Sequence, residues 1–229
     1  MATISKAEVL AVKEYNDEVR EFMLRLEKPA YFDAGSFLQL TLEKEIGNRW
    51  PESRNFSIAS GYNRDGIVKL IIRKVGYYTT RIFNELVVGA SCTVKLSFGD
   101  FLLPFKKKDS SIFCVAGGTG VAPILSFIEE LKVSNELERI KLIYSVKNSS
   151  ELFGMDVISL LPKHNLNLHS TREAIDDFIN SRPSIDTVIK QNPDFKNDCF
   201  YICGGEEFTK LFKQDLLVLG AENVFTDEW

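Results

Sequence analysis

Histidine is scarce in this chain of 229 residues, which contains only His164 and His169. A metal site built on several histidines is therefore a poor starting hypothesis, as is a hydrolase that combines serine, histidine and aspartate. The sequence predicts no metal site.

Cysteine is also sparse, and its spacing excludes several kinds of site. None of Cys92, Cys114, Cys199 and Cys203 forms the C-x-x-C pattern of zinc ribbons and thiol redox pairs. A four-cysteine iron–sulfur cluster would use all of them at spacings that match no ferredoxin pattern, so we expect no such cluster in this chain. Cys199 and Cys203 lie in a strand-like run, where a rise of about 3.3 Å per residue keeps them too far apart to bridge. We expect free thiols and a cytoplasmic protein.

Long hydrophobic runs are nearly absent. Residues 1–8 lack the apolar core of a signal peptide. Residues 110–128 form an uncharged run of 19 residues, but Gly117, Gly118, Gly120 and Pro123 would interrupt a helix there. A buried strand, a glycine turn and a helix start explain this run better than a membrane span. Neither a membrane nor a nucleic acid is expected as a partner.

The composition is that of a globular protein, with 45% hydrophobic and 26% charged residues. The charge changes sign along the chain. Residues 1–108 contain 17 basic and 13 acidic side chains, a net charge of +4, whereas residues 109–229 contain 11 and 19, a net charge of −8. The change falls in the polar segment PFKKKD at 104–109 and predicts two domains, 1–105 and 109–229.

The first half has the residue alternation of β-strands. Apolar residues alternate at 22, 24 and 26 and again at 38, 40 and 42, and residues 68–75 are rich in β-formers. Turn signals at 16–17, 61–65 and 89 separate these runs. The pattern predicts an antiparallel barrel or sandwich with a short helix over 81–86.

The second half alternates strands with helices. Strands are predicted at 112–116, 140–146, 166–169, 200–203 and 223–225, with helices from Pro123 and over 152–161, 184–190 and 208–219. This order predicts a parallel sheet with helices on both faces, whose ligands bind at the carboxyl ends of the strands.

Two glycine-containing motifs are candidates for phosphate binding. The run GGTGVAP at 117–123 follows a buried strand and opens a helix, so a dinucleotide could approach its backbone closely. The run GYYTT at 76–80 ends a strand before a helix, where Thr80 and backbone amides could take a phosphate. The structural alternatives are a tight strand–helix turn and a threonine N-cap.

Three further motifs have side chains that suit the binding of a phosphate or a planar ring. In RNFSIAS at 54–60, an arginine suits a phosphate, an aromatic ring can pack on a flat ligand, and a serine can bond a ring nitrogen. STRE at 170–173 suits a terminal phosphate monoester, and CGG at 203–205 lets a planar ring lie close. The alternatives are a half-buried strand, a capping turn and a buried cysteine before a loop.

The order and spacing of these motifs resemble the ferredoxin–NADP reductase family over nearly the whole chain. That family carries R-x-[YF]-S, then G-x-x-x-S/T, then G-T-G-x-A-P, then C-G, and its S/T-R-E resembles Thr171-Arg172-Glu173. The segment 97–101 is similar to the family's G-P-x-G-x-F, with Leu96-Ser97 in place of Gly-Pro. Asn55, Ala90 and Gly205 depart from the usual residues.

The resemblance implies an N-terminal antiparallel Greek-key flavin barrel followed by a doubly wound nicotinamide domain, with FAD and NADPH as cofactors. It implies that Ser57 bonds the accepting flavin nitrogen and that Cys203 presses the nicotinamide into place, which makes these two the catalytic residues. The implied cofactor-binding residues are Arg54, Phe56, Ser57, Arg73, Gly76, Tyr77, Tyr78, Thr79, Thr80, Trp229, Gly118, Thr119, Gly120, Pro123, Arg172 and Gly204. In many members a terminal aromatic such as Trp229 covers the flavin; the alternative here is packing on the second domain.

Three functions stay open. The first is a reductase of a ferredoxin or flavodoxin, an acidic redox protein that the positive first half would attract. The second is a reductase of free flavin or a reductase component of an oxygenase. The third, a module that has lost its chemistry, is disfavoured because Ser57 and Cys203 are present.

Overall fold

A computed structural model describes residues 2–43, 49–104 and 110–228, without the side chain of Glu228. Its first half is one antiparallel sheet of six strands and one helix. These are β1 (Thr3–Asn16), β2 (Val19–Leu26), β3 (Phe37–Thr41), β4 (Arg54–Ser57), β5 (Ile67–Arg73), α1 (Tyr77–Glu85) and β6 (Ser91–Phe98). The strand order is β4-β3-β6-β1-β2-β5.

This sheet nearly closes into the predicted barrel. The alternating residues Phe22, Leu24 and Leu26 are buried inside it. Just beyond the end of β4, the backbone N–H of Ala59 donates to the carbonyl of Lys69 in β5 at 2.8 Å, which links the two edges. An interior filled by alternate apolar side chains is what a small antiparallel barrel requires.

Helix α1 begins four residues before its predicted start. Its buried face consists of Tyr78, Thr79, Ile82 and Phe83, at helical spacing. The Thr79 hydroxyl accepts hydrogen bonds from the backbone N–H groups of Val75 at 2.9 Å and Gly76 at 3.1 Å. This local capping lets the helix start at the tyrosines, and the predicted start at residue 81 was wrong for that reason.

The second half is a five-stranded parallel sheet with helices on both faces, as predicted. Its elements are β7 (Ile112–Gly117), α2 (Ala122–Val133), β8 (Ile140–Val146), α3 (Met155–Ile158), β9 (Leu166–Ser170), α4 (Ile185–Ile189), β10 (Cys199–Gly204), α5 (Glu206–Val218) and β11 (Asn223–Glu228). The strand order is β11-β10-β7-β8-β9, so the order reverses at β7. In such a doubly wound sheet, the carboxyl end of the strand at the reversal is the usual place for a ligand.

Neighbouring residues of β7 face opposite layers of this domain. Phe113 packs with Phe212 of α5, whereas Cys114 packs with Phe127 of α2. A strand buried on both faces forms a continuous apolar run, and residues 122–128 at the start of α2 are buried as well. Together they explain the uncharged stretch from 110 to 128. None of the helices in the described ranges has the length and apolar composition needed to cross a bilayer.

The predicted helix over 152–161 is reduced to the single turn α3. Gly154 precedes it in the left-handed region at φ 65°, and Pro162 follows it. A left-handed residue and a proline both interrupt helical hydrogen bonding. The apolar residues of this segment are nevertheless buried, with Phe153 and Ile158 in the core beside α2.

Backbone and side-chain hydrogen bonds join the two halves. The N–H of Gly35 donates to the Ser126 hydroxyl at 2.8 Å, and the N–H of Gly61 donates to Glu129 at 2.7 Å. The Asn16 amide donates to the carbonyl of Ser150 at 2.9 Å. Most of the predicted boundary at 104–109 lies outside the described residues, so the division into domains 1–105 and 109–229 stays a prediction.

Candidate functional site

Two clefts open where the halves meet. We call the first the barrel cleft; its volume is about 680 Å³ and it lies between β4, β5, the start of α1 and the carboxyl end of β10. The second, the sheet cleft, has a volume of about 780 Å³ and lies over the carboxyl ends of β7 and β8, beside α5. Arg73 lines both clefts and therefore stands at their junction.

The structure brings most of the predicted site residues to these clefts. Those lining the barrel cleft are Arg54, Phe56, Ser57, Arg73, Gly76, Tyr77, Tyr78, Thr79, Thr119, Pro123 and Cys203. Gly118 lines the sheet cleft. Residues from both ends of the chain therefore contribute to one continuous junction.

Ser57 and Cys203 converge on a residue that the motifs did not indicate, Asp227. The Ser57 hydroxyl donates to Asp227 Oδ2 at 3.2 Å, and the Cys203 thiol lies 3.9 Å from the same oxygen. Cys203 pairs with Asp227 in the parallel register of β10 and β11, which puts both side chains on one face. The signal was present in the alternation from Phe225 to Asp227, but the predicted strand ended at residue 225.

Arg54 stands at the rim of the barrel cleft. Its guanidinium lies 4.5 Å from the centre of the Tyr78 ring and donates to Glu52 at 3.0 Å. Its side chain is 47% exposed, so a ligand phosphate could reach it. Tyr78 is buried and its hydroxyl donates to backbone carbonyls of Leu40 and Glu52, so its ring supports the arginine from below.

The two threonines of α1 differ in position. Thr79 is buried and its hydroxyl is occupied by the capping bonds described above. Thr80 is exposed, donates its hydroxyl to the carbonyl of Gly76 at 2.9 Å, and is not among the residues that line the barrel cleft. At this helix start the phosphate donors of the described chain would be backbone amides.

A buried ion pair ties the junction together. Arg73 donates to Glu151 at 3.0 Å and to Glu18 at 3.1 Å, and the Glu151 side chain is only 7% exposed. Burial by itself raises the pKa of Glu151. The hydrogen bond from the N–H of Lys147 and the charge of Arg73 outweigh this and hold that pKa below its usual value.

The glycine motif has two separate structural requirements. Gly118 adopts φ 54° beside the Arg73 guanidinium, and its surroundings are otherwise open. At Gly120, an added Cβ would lie 2.3 Å from the carbonyl oxygen of Cys203 and 2.8 Å from the nitrogen of Gly204. Gly118 thus leaves space for a ligand, and Gly120 lets the turn pack directly against β10.

The sheet cleft is lined by Arg182, a cationic residue that the motifs did not indicate. Arg172 is exposed beyond the end of β9 but is not among the residues that line the cleft, whereas Thr171, Lys147 and Arg182 are. Arg182 lies in a polar loop ten positions after Arg172, and no sequence signal set it apart. Gly204 is buried at the end of β10, and Trp229 lies outside the described residues.

Comparison with known proteins finds a similar domain and similar chains. Residues 114–214 match the family model of the oxidoreductase NAD-binding domain. The phenol hydroxylase P5 protein of Acinetobacter pittii is 29% identical over 160 residues, 69% of this chain and 44% of that protein. The reductase component of a naphthalene 1,2-dioxygenase/salicylate 5-hydroxylase system of a Ralstonia species is 29% identical over 169 residues, 73% of this chain and 49% of that protein.

Solved structures show the same fold. A ferredoxin NADP⁺ reductase from Neisseria gonorrhoeae with bound FAD and NADP superposes with a TM-score of 0.81 at 20% identity, over 100% of this chain and 99% of that one. The FAD/NAD-binding domain of a Vibrio cholerae nitric oxide dioxygenase gives a TM-score of 0.84 at 17% identity, over 98% of both chains. This chain resembles the ferredoxin–NADP reductase family. The predicted resemblance is confirmed, and so is the predicted pairing of an antiparallel barrel with a parallel α/β sheet.

The curated relatives are longer proteins than the segment that matches this chain. The chain spans about half the length of the curated relatives it matches, at 44% and 49% of the two named above. The activities of those longer proteins therefore apply to this chain only as a proposal.

Proposed function

We propose that this chain is an FAD-dependent oxidoreductase that takes hydride from NADPH and passes single electrons to a separate acidic redox protein, a ferredoxin or flavodoxin. The observation that carries the proposal is the convergence of Ser57 and Cys203 on Asp227. One residue comes from the barrel and the other from the parallel sheet, so ligands of the two halves would meet at this point. The name of the Ralstonia relative supports the proposal, since it describes a ferredoxin–NAD(P)⁺ reductase component.

The barrel cleft has the features that FAD needs. It combines a largely apolar lining, including Phe56 and Ile71, with an exposed arginine at its rim and the open backbone of Gly76. A flat, phosphorylated cofactor needs this mixture of apolar surface and few polar contacts. Bound flavin would supply the redox chemistry. Trp229 would cover it, as the family resemblance implies.

The chain's own residues would position the reactants. Ser57 would turn its hydroxyl from Asp227 to the ring nitrogen that accepts hydride, and Cys203 would hold the nicotinamide against the flavin from the sheet side. Asp227 would keep both side chains oriented while the cleft is empty. Rate gained in this way comes from holding the reacting atoms about 3–3.5 Å apart.

The sheet cleft supports NADPH as the preferred donor. Gly117 and Gly118 would let the dinucleotide lie on the carboxyl end of β7, and Arg73 would face its phosphates. Arg182 lines the cleft and Arg172 lies near it, and neither has a salt bridge within the described part of the chain. Two exposed guanidinium groups suit the 2′-phosphate that distinguishes NADPH from NADH.

The second candidate is the reductase component of an oxygenase, with electrons passed to a partner of that system. The names of the relatives favour it, among them the reductase components of a terephthalate 1,2-dioxygenase and a phenol 2-monooxygenase. Both candidates use the same clefts and differ only in the electron acceptor.

The test begins with the purified protein. We expect a yellow protein, or one that turns yellow with added FAD, whose flavin NADPH reduces under anaerobic conditions. Ser57→Ala should keep the flavin and slow its reduction by about tenfold, the effect of one hydrogen bond of roughly 1.4 kcal/mol. Ser53→Ala is the matched control, because Ser53 bonds Trp50 outside the cleft.

The electron acceptor is tested by turnover with ferredoxin, flavodoxin and free flavin. If an acidic partner is steered by the positive first half, its reduction slows as salt rises, because exposed charges are screened beyond about 8 Å at physiological ionic strength. Turnover with a small uncharged acceptor should not change. A colourless protein that takes up no flavin would contradict the whole proposal.

A further inference from the structure

A third cavity lies away from the junction, at the edge of the parallel sheet. This edge cavity has a volume of about 600 Å³ and lies between β9 and the loop and helix that include α4. It shares Arg182 and Ser184 with the sheet cleft but contains none of the residues that line the barrel cleft. Its lining also includes Lys141, His169, Asp186, Lys190 and Gln191.

His169 presents a hydrogen-bond acceptor on the cavity wall. The residue is 2% exposed, and its Nδ1 lies 3.0 Å from the carbonyl oxygen of Ser181. Burial lowers the pKa of His169, and the bond to Ser181 only partly opposes this, so the ring is neutral at pH 7. A neutral ring that donates from Nδ1 has a bare lone pair on Nε2.

Three polar atoms at this cavity have no hydrogen-bond partner among the described residues: His169 Nε2 and both side-chain amide atoms of Gln191. A buried polar atom without a partner costs roughly 1–3 kcal/mol, so three of them in one place call for a bonding partner. The Gln191 backbone carbonyl is held by Lys141 at 2.9 Å, but nothing described fixes its side-chain amide. That amide is therefore able to turn towards a ligand.

The charge of the cavity lining favours a negatively charged ligand. Lys141, Arg182 and Lys190 are cationic, and Asp186 is the one acidic residue among the described lining. Neither Arg182 nor Lys190 has a salt bridge within the described chain. The cavity thus combines excess positive charge with an acceptor that needs an O–H or N–H donor.

We propose that the edge cavity is a binding site for a small phosphorylated polyol, separate from the two clefts at the junction. The phosphate would lie between Lys190 and Arg182, a hydroxyl would donate to His169 Nε2, and the Gln191 amide would bond a second hydroxyl. Because Arg182 also lines the sheet cleft, an occupied edge cavity would weaken the hold of that arginine on a nucleotide phosphate.

The chain's two histidines make the test direct. With ¹⁵N-labelled histidine, NMR reports His169 Nε2 while ribose 5-phosphate, ribose or sulfate is titrated into the full chain. Ribose 5-phosphate should move the Nε2 resonance saturably in the direction of a newly accepted hydrogen bond. Ribose lacks the anion and sulfate lacks a hydroxyl, so each should bind at least tenfold more weakly.

Two variants locate the site. Gln191→Leu and the exposed Lys190→Gln should each weaken ribose 5-phosphate about three- to tenfold, the lower value applying to a partly screened charge. Lys132→Gln, an exposed lysine at the end of α2, is the matched control and should change nothing. These measurements use no flavin or nicotinamide, so their outcome is independent of the proposed activity.

Three outcomes would overturn the proposal. The first is a His169 Nε2 resonance that does not respond to ribose 5-phosphate. The second is equal affinity for sulfate, which would remove the role of the hydroxyl. The third is binding that is lost in Arg182→Ala but unchanged in Gln191→Leu and Lys190→Gln, which would place the ligand in the sheet cleft.

Discussion

The substitution Gly120→Ala tests whether close packing of the glycine turn on β10 positions the reaction centre. Its added Cβ would lie 2.3 Å from the Cys203 carbonyl oxygen and 2.6 Å from the carbonyl carbon. Comfortable contacts between heavy atoms are about 3.5 Å, so the two backbones must separate by about 1 Å. Both contacts are with backbone atoms, so rotation of a side chain cannot relieve the strain.

The expected consequences are a loss of stability and a larger loss of rate. Overpacking of this kind costs roughly 1–3 kcal/mol, which for a chain of this size lowers Tm by about 2–12 °C. A displacement of about 1 Å at Cys203 should slow flavin reduction about a hundredfold, because hydride transfer depends on a short donor–acceptor distance. The assays are thermal unfolding and anaerobic stopped-flow reduction by NADPH.

Gly205→Ala is the matched control. Gly205 lies next to the same contact, but an added Cβ there meets no atom within 4 Å, and its φ of −64° suits alanine. The control should keep the parent Tm, because its added Cβ forces no backbone apart. If Gly120→Ala matches Gly205→Ala in both Tm and rate, the argument that this glycine positions Cys203 is wrong.

Three further predictions concern charged residues. Arg54→Ala should bind FAD about ten- to a hundredfold more weakly, since a charge-assisted bond is worth roughly 1.5–3 kcal/mol; absorbance of the purified protein measures this, and full occupancy would contradict it. Arg182→Ala should raise KM for NADPH about tenfold and leave NADH unchanged, with Arg172→Ala as the comparison; equal losses for both nucleotides would show a structural effect. Glu151→Gln should cost roughly 1.5–3 kcal/mol of unfolding free energy at pH 7. The folded-state pKa of Glu151 lies below its ordinary 4.5, so the stability difference between parent and variant should be complete above about pH 4.5 and vanish as the pH falls through the folded value. Denaturant unfolding at pH 7 and at pH 3 measures this difference. A difference that is the same at both pH values would refute the prediction.

Patterns within short segments predicted the fold well. The alternation at Phe22, Leu24 and Leu26 and the apolar run from Ile112 to Ala116 depend only on which side of a strand is buried, and both segments form strands. The predicted helix boundaries were less accurate. At α1 the start depended on the Thr79 hydroxyl, which accepts hydrogen bonds from the residues just before the helix. Near α3 a left-handed Gly154 precedes the first helical residue, so the helix predicted from residue 152 begins only at Met155.

The candidate site was predicted where its residues belong to motifs and missed where they do not. Arg54, Ser57 and Cys203 stand in runs whose order along the chain resembles a family, and the structure places them around one cleft. Arg182 stands in a loop, and only the return of that loop to the sheet edge, where the N–H of Ile179 bonds the carbonyl of Leu168 at 2.9 Å, brings it to the sheet cleft. Such a contact has no local pattern that a sequence can display.

Asp227 likewise could not be predicted from its own segment, because its position depends on strand register. In β11 a shift of one residue would put Thr226 or Glu228 opposite Cys203 and turn Asp227 to the other face of the sheet. The register is fixed by packing further down the strand, where the Phe225 ring stacks on Tyr201 with centroids 4.8 Å apart. Tyr201 is fully buried and donates its hydroxyl to the carbonyl of Leu102 at 2.6 Å. The carboxylate is therefore placed by an aromatic contact two residues before it, within the parallel sheet, and it meets Ser57 only where barrel strand β4 reaches that sheet.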